Sequence, residues 1–449
     1  MSDRITRRLF LGSTAPAALG AGVMAGGMAA TRAKASPLGA NERINVGVIG
    51  TGNRGSYLTY IFDIVGSQTA AICDVNRRRL EKTLRDISHG KAKTYTDYRR
   101  LLDDKSIDAV AIATNGHWKA LAAIEACLAG KDVYLEKPVA TSIGEGRAIV
   151  EAAKKSGRII QMGTQQHSWE HYRRAVQIIR SGKLGNISRV EVWDVENFHP
   201  GFGNPPDEPE PDYLDWDFWV GPSPRRPYNP LRYAHHYWFF DYGGAWQLEW
   251  GVHHYDIVHW AMGVDRPVAA TGTGGRFAFG RDKHRIDWPD TFEGTCTYPP
   301  GPVAKNGFLL TYTLRSDNSK LIEGRRHGTA FYGGDGTLVI DRAGYQIFSE
   351  TRAAKKVVQE EEVLSGKPEH EVVQAHARRF LDCMRSRKQP EANIEVGHLA
   401  TNPGHLMNLA WRVGRPVKWD SATEQAIGDD AASSLIAKKY RAPWRLSSP

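Results

Sequence analysis

Gly50, Gly52 and Gly55 stand at the spacing G-x-G-x-x-G, in the run Gly50-Thr51-Gly52-Asn53-Arg54-Gly55. Such a run binds a pyrophosphate when it follows a strand and opens a helix. Here it follows the apolar run 43–50 and precedes a helical pattern. Gly50 then allows the tight turn, Gly52 lets the backbone approach a phosphate, and Gly55 lets helix and strand pack closely. The helix start at Asn53 and Arg54 supplies free N–H groups and a positive dipole end. Asp74 lies 22 residues past Gly52, at the end of the second strand. A carboxylate there accepts from a ribose 2′-hydroxyl and repels a 2′-phosphate, which favours NAD over NADP. Arg77 and Arg78 follow and can pair with a 2′-phosphate. A second group of residues suits proton transfer. His253 titrates near neutral pH by nature. Glu249 precedes it by four residues in a helical stretch, so both share one face. A carboxylate there orients the imidazole and stabilises its charged form. A lone helix histidine is more often satisfied in a core, but His254 and Asp256 lie alongside.

The elements that must hold these residues alternate. Strands are expected at 43–50, 69–74, 109–114, 132–135 and 159–162, and helices at 54–65, 76–87, 120–129 and 143–156. Alternation at short spacing means a parallel sheet with crossover helices. After residue 163 the pattern changes. A helix at 170–181 leads into a long strand at 187–196, a Pro- and Trp-rich loop at 198–230 and a helix at 245–262. β-rich runs at 266–280, 291–298, 307–315, 328–333, 337–341 and 345–349 read as a mostly antiparallel sheet. Helices at 369–386 and 397–413 close the chain.

The 449 residues carry 41% hydrophobic and 24% charged side chains, an ordinary globular balance that fits two domains. Of the net charge of +9, the first 35 residues supply +4, from five cations against Asp3. No block of like charge remains, which argues against nucleic acid as a partner. Cys73, Cys127, Cys296 and Cys383 have no metal-ligand spacing and read as buried thiols. Thr6-Arg7-Arg8-Leu9-Phe10-Leu11, the weakly apolar run to Ala30 and Ala33-Lys34-Ala35 fit a twin-arginine signal over 1–35. The run is too short and glycine-rich for a membrane span. Export to the periplasm without stable membrane insertion is expected. That route moves folded proteins into a compartment without soluble nicotinamide, which favours a tightly held cofactor.

Glu136-Lys137-Pro138 follows the strand Val133-Tyr134-Leu135. With the glycine fingerprint, Thr114-x-x-His117-Trp118, Gly163-Thr164-Gln165-Gln166, Gly243-Gly244, Trp250-Gly251-Val252-His253-His254, Trp419-Asp420 and Tyr440-Arg441-Ala442-Pro443-Trp444, it resembles the Gfo/Idh/MocA family of oxidoreductases, its exported members above all. The resemblance spans nearly all of the chain after the signal. It implies an α/β protein: a Rossmann domain with a parallel sheet over 41–162, then an α+β domain over 163–449 with a large, mostly antiparallel open sheet. It also implies homo-oligomers, dimers or tetramers, formed through that sheet. Thr114, Asn115, His117, Glu136 and Lys137 would join the fingerprint residues around the cofactor. Lys137 would point at the reacting sugar carbon, donate to its oxygen and stabilise alkoxide character. The family's Asp-x-x-x-His pattern falls on Glu249 and His253, with Glu in place of Asp. Asn115 and Lys119 also depart from the family pattern, which often has proline and histidine there.

Residues 231–242 are dense in aromatics and hydrogen-bonding side chains. They suit either a sugar or packing at an interface. Arg232, His235, His236 and His254, with Gln165 and Gln166, are the expected substrate contacts. Adjacent loop histidines rarely ligate one ion, so no metal is expected. The leading expectation is a nicotinamide-dependent enzyme oxidising a hydroxyl of a sugar, sugar derivative or polyol. The alternative is a redox-neutral glycoside hydrolase or lyase that oxidises, eliminates, hydrates and reduces again. A silent binding protein is a third reading, against which the retained Lys137 and His253 argue.

Overall fold

The computed structural model describes residues 43–446, Arg281 excepted. The expected signal at 1–35 therefore lies outside the described residues. Among those described, no helix is long and apolar enough to cross a membrane.

Six parallel strands form the first sheet, in the order Lys93–Tyr95, Gln68–Cys73, Asn45–Ile49, Ala109–Ile112, Asp132–Leu135, Ile160–Met162. Ala109–Ile112 and Asp132–Leu135 are buried at every position, because crossover helices cover both faces. Strand order reverses between Asn45–Ile49 and Ala109–Ile112, and ligands of such sheets bind beyond the carboxyl ends of the strands there. Gly50, Asp74, Thr114 and Glu136 all sit just past such ends.

The second sheet has ten strands, in the order Glu361–Leu364, Gly344–Ser349, Gly336–Asp341, His327–Gly333, Ile187–Val195, Phe308–Arg315, Thr291–Tyr298, Ala269–Gly275, Val417–Asp420, Gln425–Ala426. Its pairings are antiparallel apart from the central pair Ile187–Val195 and Phe308–Arg315. In Phe308–Arg315 the residues Phe308, Leu310, Tyr312 and Leu314 are buried while their alternates are not. One face therefore packs on helices and the other stays open. The late helix Glu369–Ser386 returns to the first sheet. His376 Nε2 lies 2.8 Å from Met162 O, and Gln161 Nε2 donates to His376 O at 2.8 Å.

One expected element is different. The helix read over 245–262 is two helices, Ala245–Glu249 and Gly251–Met262, broken at Trp250. The His253 N–H bonds Trp250 O at 2.9 Å instead of Glu249 O. The Glu249 carbonyl accepts from Lys137 Nζ at 2.8 Å. A lysine from the other sheet thus takes the acceptor that a continuous helix would use internally. The loop 198–230 also contains a short helix, Trp216–Val220, whose Asp215 cap accepts from the Phe218 N–H.

Candidate active site

A cleft of about 650 Å³, open at its mouth, runs along the carboxyl ends of the parallel strands. Gly50, Gly52, Asp74, Thr114, Asn115 and Trp118 form its Rossmann side, and Phe218, Trp219 and Tyr233 its outer side. Gly50 turns at φ 88°, and its N–H donates to Cys73 O at 2.8 Å. Gly52 caps the helix Asn53–Ile64 with no side-chain bond, so first-turn N–H groups are left for an anion. A Cβ on Gly52 would meet only Arg79 Nη1, at 3.6 Å. Thr114 Oγ1 is buried without a partner, and a ligand in the cleft would satisfy it. The residues present therefore fit a dinucleotide.

Asp74 accepts from the Thr51 N–H at 2.7 Å, Thr51 Oγ1 at 3.1 Å and the Asn76 N–H at 2.8 Å. Burial pushes its carboxyl above the ordinary value, and these bonds offset part of that. A carboxylate has about four acceptor positions, so room is left for a ribose hydroxyl. Arg77 and Arg78 are engaged elsewhere. Arg77 bonds Asp212 O, and Arg78 lies 3.8 Å over the Tyr213 ring. Arg79 lines the cleft, 4.9 Å over Tyr233.

The fingerprint helix is tied directly to the Glu-Lys-Pro motif. Arg54 Nε pairs with Glu136 Oε1 at 2.6 Å, and Gln165 Nε2 donates to the same oxygen at 3.2 Å. Lys137 follows. Its ammonium also reaches Glu249 Oε2 at 3.2 Å. Buried beneath, Lys119 Nζ donates to the carbonyls of Lys137 at 2.6 Å and Pro138 at 3.0 Å. Burial pushes the Lys119 ammonium down to about 8. His253 is 4% exposed, and its Nδ1 has no partner. Burial, then the cations Arg342 and Lys137, hold its proton affinity well below the ordinary histidine value. It is uncharged at neutral pH.

Residues 44–164 match the model described as an oxidoreductase family with an NAD-binding Rossmann fold. Residues 173–271 and 340–446 match the C-terminal alpha/beta domain of the same family. The chain belongs to the Gfo/Idh/MocA family. It is 32% identical over 145 residues to inositol 2-dehydrogenase of Salmonella typhimurium, covering 32% of this chain and 43% of that protein. It is 28% identical over 208 residues to a glycosyl hydrolase family 109 protein of Saccharopolyspora erythraea, covering 41% and 45%. The matches thus span less than half the length of these curated relatives. A levoglucosan dehydrogenase solved with NADH and levoglucosan superposes with TM-score 0.63 at 18% identity, over 84% of this chain and 99% of that one. At that identity the likeness shows the fold.

Within this family fold, the residues expected at the site separate into groups. Lys137 bonds Glu249 and lowers the proton affinity of His253, and the Glu249 carboxylate contacts Lys137. His236 faces Glu249, whose charge partly offsets burial, and burial still pushes His236 down to about 4. The expected substrate contacts Gln165 and Gln166 are interior supports, 5% and 1% exposed, bonded to Tyr134 and Tyr172 hydroxyls. His235 diverges from His236 and stacks on Phe202 at 4.2 Å. Arg232 Nη1 donates to Pro227 O at 3.1 Å. His254 is buried, with Nδ1 3.1 Å from Thr329 Oγ1 and Nε2 3.5 Å from Asp194. His117, expected beside the cofactor, is 1% exposed with Nε2 2.9 Å from Trp219 O. Asn53 is exposed at the helix start.

Sequence reasoning missed a polar network under Trp250. The Trp250 ring stacks 4.4 Å from His327, whose Nδ1 is 2.9 Å from Asp194 Oδ1. Asp194 also accepts from Tyr312 at 2.7 Å. Burial alone would raise the Asp194 carboxyl, but His254 and His327 hold it below the carboxylate range. Strand pairing places His327 opposite Asp194, and no local signal announces that register. Arg342, 4.8 Å over Trp250, was equally silent in sequence. Among the described residues no group of three or more His, Cys, Asp or Glu stands ready for a metal ion.

Proposed function

We propose that this chain is an exported, NAD-dependent oxidoreductase that acts on a CH–OH group of a sugar, sugar derivative or polyol and keeps its cofactor between turnovers, the hydride being returned to a second, carbonyl-bearing substrate in the same site. The carrying observation is the Lys137–Glu249 contact at the end of a strand whose neighbours line a dinucleotide cleft. The names of the inositol and levoglucosan dehydrogenases support the substrate class. The engagement of Arg77 and Arg78 with Asp212 and Tyr213 supports NAD over NADP. A bound nicotinamide supplies hydride acceptance. The protein orients the hydroxyl and handles its proton. Lys137 donates to the reacting oxygen and stabilises developing negative charge. Neutral His253 accepts the proton, and Arg342 and Lys137 beside it keep that proton from lingering. Tyr237 and Trp246, 5.4 Å apart, and Phe198 against Trp246 offer aromatic faces for sugar C–H groups.

Because the folded His253 titrates well below 6.5, it is protonated, and lost as a base, only in more acidic solution. The kcat/KM profile should therefore stay level on its acid side through pH 6, with His253→Ala slower by about a hundredfold. An acid limb near 6.5 that disappears in His253→Ala would overturn the lowered proton affinity, and a His253→Ala rate equal to wild type would remove the role of base.

The match to the glycosyl hydrolase family 109 protein favours a second reading, redox-neutral glycoside cleavage. Turnover of a glycoside panel in deuterated water separates the two. Elimination removes a proton from the ring carbon beside the oxidised one and later returns a solvent deuteron. The dehydrogenase is expected to change nicotinamide absorbance, leave the glycosidic bond intact and leave that carbon unlabelled. Cleavage with ring deuterium and no net nicotinamide reduction would replace the leading reading.

The Arg7-Arg8 motif supports the periplasmic location, which cell fractionation of an Arg7→Lys, Arg8→Lys chain tests. The open face of the ten-stranded sheet supports a homo-oligomer, which light scattering measures.

A further inference from the structure

The outer side of the dinucleotide cleft does not belong to the Rossmann strands. It is made by the short helix Trp216–Val220 and by Tyr233, and the last described residues hold it in place. Trp118, on the Rossmann side, stacks flat on Phe218 at 5.1 Å and 12°. Trp444 closes on both from outside, with its ring edge-on to Trp118 at 4.8 Å and to Phe218 at 5.5 Å. The Arg99 guanidinium lies 5.3 Å over Trp444 and 5.5 Å over Phe218.

Hydrogen bonds fix both parts of this lid. The Trp219 carbonyl accepts from Trp118 Nε1 at 3.0 Å and lies 2.9 Å from His117 Nε2. This explains why His117 and Trp118 occur together at the start of a Rossmann helix: they dock the second segment. The tail is tied down separately. The Arg441 N–H donates to Pro222 O at 2.9 Å, and Arg441 Nη1 pairs with Asp217 at 2.8 Å. Tyr440 donates to Glu145 Oε1 at 2.6 Å.

We infer that residues 440–444 and the helix Trp216–Val220 form a clasp over the adenosine end of the dinucleotide, so that nucleotide leaves only when the clasp opens. The inference rests on the NAD-dependent reading and adds to it the part of the chain that retains the cofactor. Phe218 and Trp219 line the cleft itself, whereas Trp444 braces them without being part of its lining. Loss of Trp444 should therefore act on the rate of nucleotide release more than on the chemistry.

The test compares full-length wild type with Trp444→Ala, Trp444→Phe and Arg441→Gln. Bound nucleotide is counted by mass spectrometry after desalting, and release is timed by displacement of NADH fluorescence with excess NAD. Wild type should keep its nucleotide through desalting. Trp444→Ala should release it roughly tenfold faster or more, the scale of losing two aromatic contacts. Trp444→Phe should recover much of the retention, and Arg441→Gln should release a few-fold faster. A folded Trp444→Ala with the wild-type release rate overturns the clasp and leaves the NAD-dependent reading standing. If Trp444→Ala does not fold, an unchanged release rate in Arg441→Gln overturns it instead. A wild-type protein that binds neither NAD nor NADP overturns both.

Discussion

Lys137→Ala is expected to abolish turnover while nucleotide stays bound. The ammonium makes two contacts with Glu249, at 2.8 Å to its carbonyl and 3.2 Å to its carboxylate. Removing it deletes the donor for the reacting oxygen, a loss of about a hundredfold to a thousandfold for a donor aimed at developing charge. It also leaves the Glu249 carboxylate, with side-chain exposure of 17%, without its cation partner. An unpaired negative charge adds to the barrier for developing another, so the combined loss should exceed about a thousandfold. Nucleotide should remain because the cleft lined by Gly50, Asp74 and Thr114 does not include Lys137. Steady-state rates together with nucleotide content after desalting check both halves. Full activity in the variant would mean that the reacting centre lies elsewhere.

Much of this arrangement was legible in the sequence, for physical reasons that differ by element. Short buried strands alternating with helices leave a periodic trace, so the parallel sheet and the placement of Gly50, Asp74 and Glu136 at its carboxyl edge follow from pattern alone. The glycine fingerprint is local, and Gly50 and Gly55 each meet a local steric demand. The break at Trp250 was not legible. Apolar residues recur through 245–262 with only Gly251 to mark the break, and the partner of the freed Glu249 carbonyl, Lys137, lies more than a hundred residues away. Gln165 and Gln166 look like substrate contacts because they are polar and follow a strand. Burial and the Glu136, Tyr134 and Tyr172 partners make them supports, and partners of that kind exist only after folding. The clasp was half legible: Tyr440–Trp444 stood out as a motif, while its target, the stack of Phe218 on Trp118, is a tertiary contact.

Gly55→Ala should cost the protein both its nucleotide and part of its stability. A Cβ there would fall 1.7 Å from Gly50 O and 2.8 Å from Gly50 C. Both atoms are backbone, and Gly50 is itself fixed by its bond to Cys73 O and its φ of 88°. No side chain can swing aside, so the helix Asn53–Ile64 must retreat from the strand before it. Overpacking of this kind costs about 1–3 kcal/mol or more, a fall in Tm of several degrees on the order of 2–4 °C per kcal/mol. The same retreat carries the first-turn N–H groups away from the phosphates and pulls on the Arg54–Glu136 pair. Affinity for NAD should fall by at least about tenfold, the scale of one lost charge-assisted bond. Gly52→Ala is the control that isolates the two effects. Its Cβ meets only the flexible end of Arg79, at 3.6 Å, so the apoprotein should melt near the wild-type temperature. Yet that methyl occupies the approach of the phosphates, so nucleotide affinity should still drop. Thermal melts and NAD titrations of the two variants give four numbers. Wild-type NAD affinity in Gly55→Ala would show that the helix start does not hold the pyrophosphate.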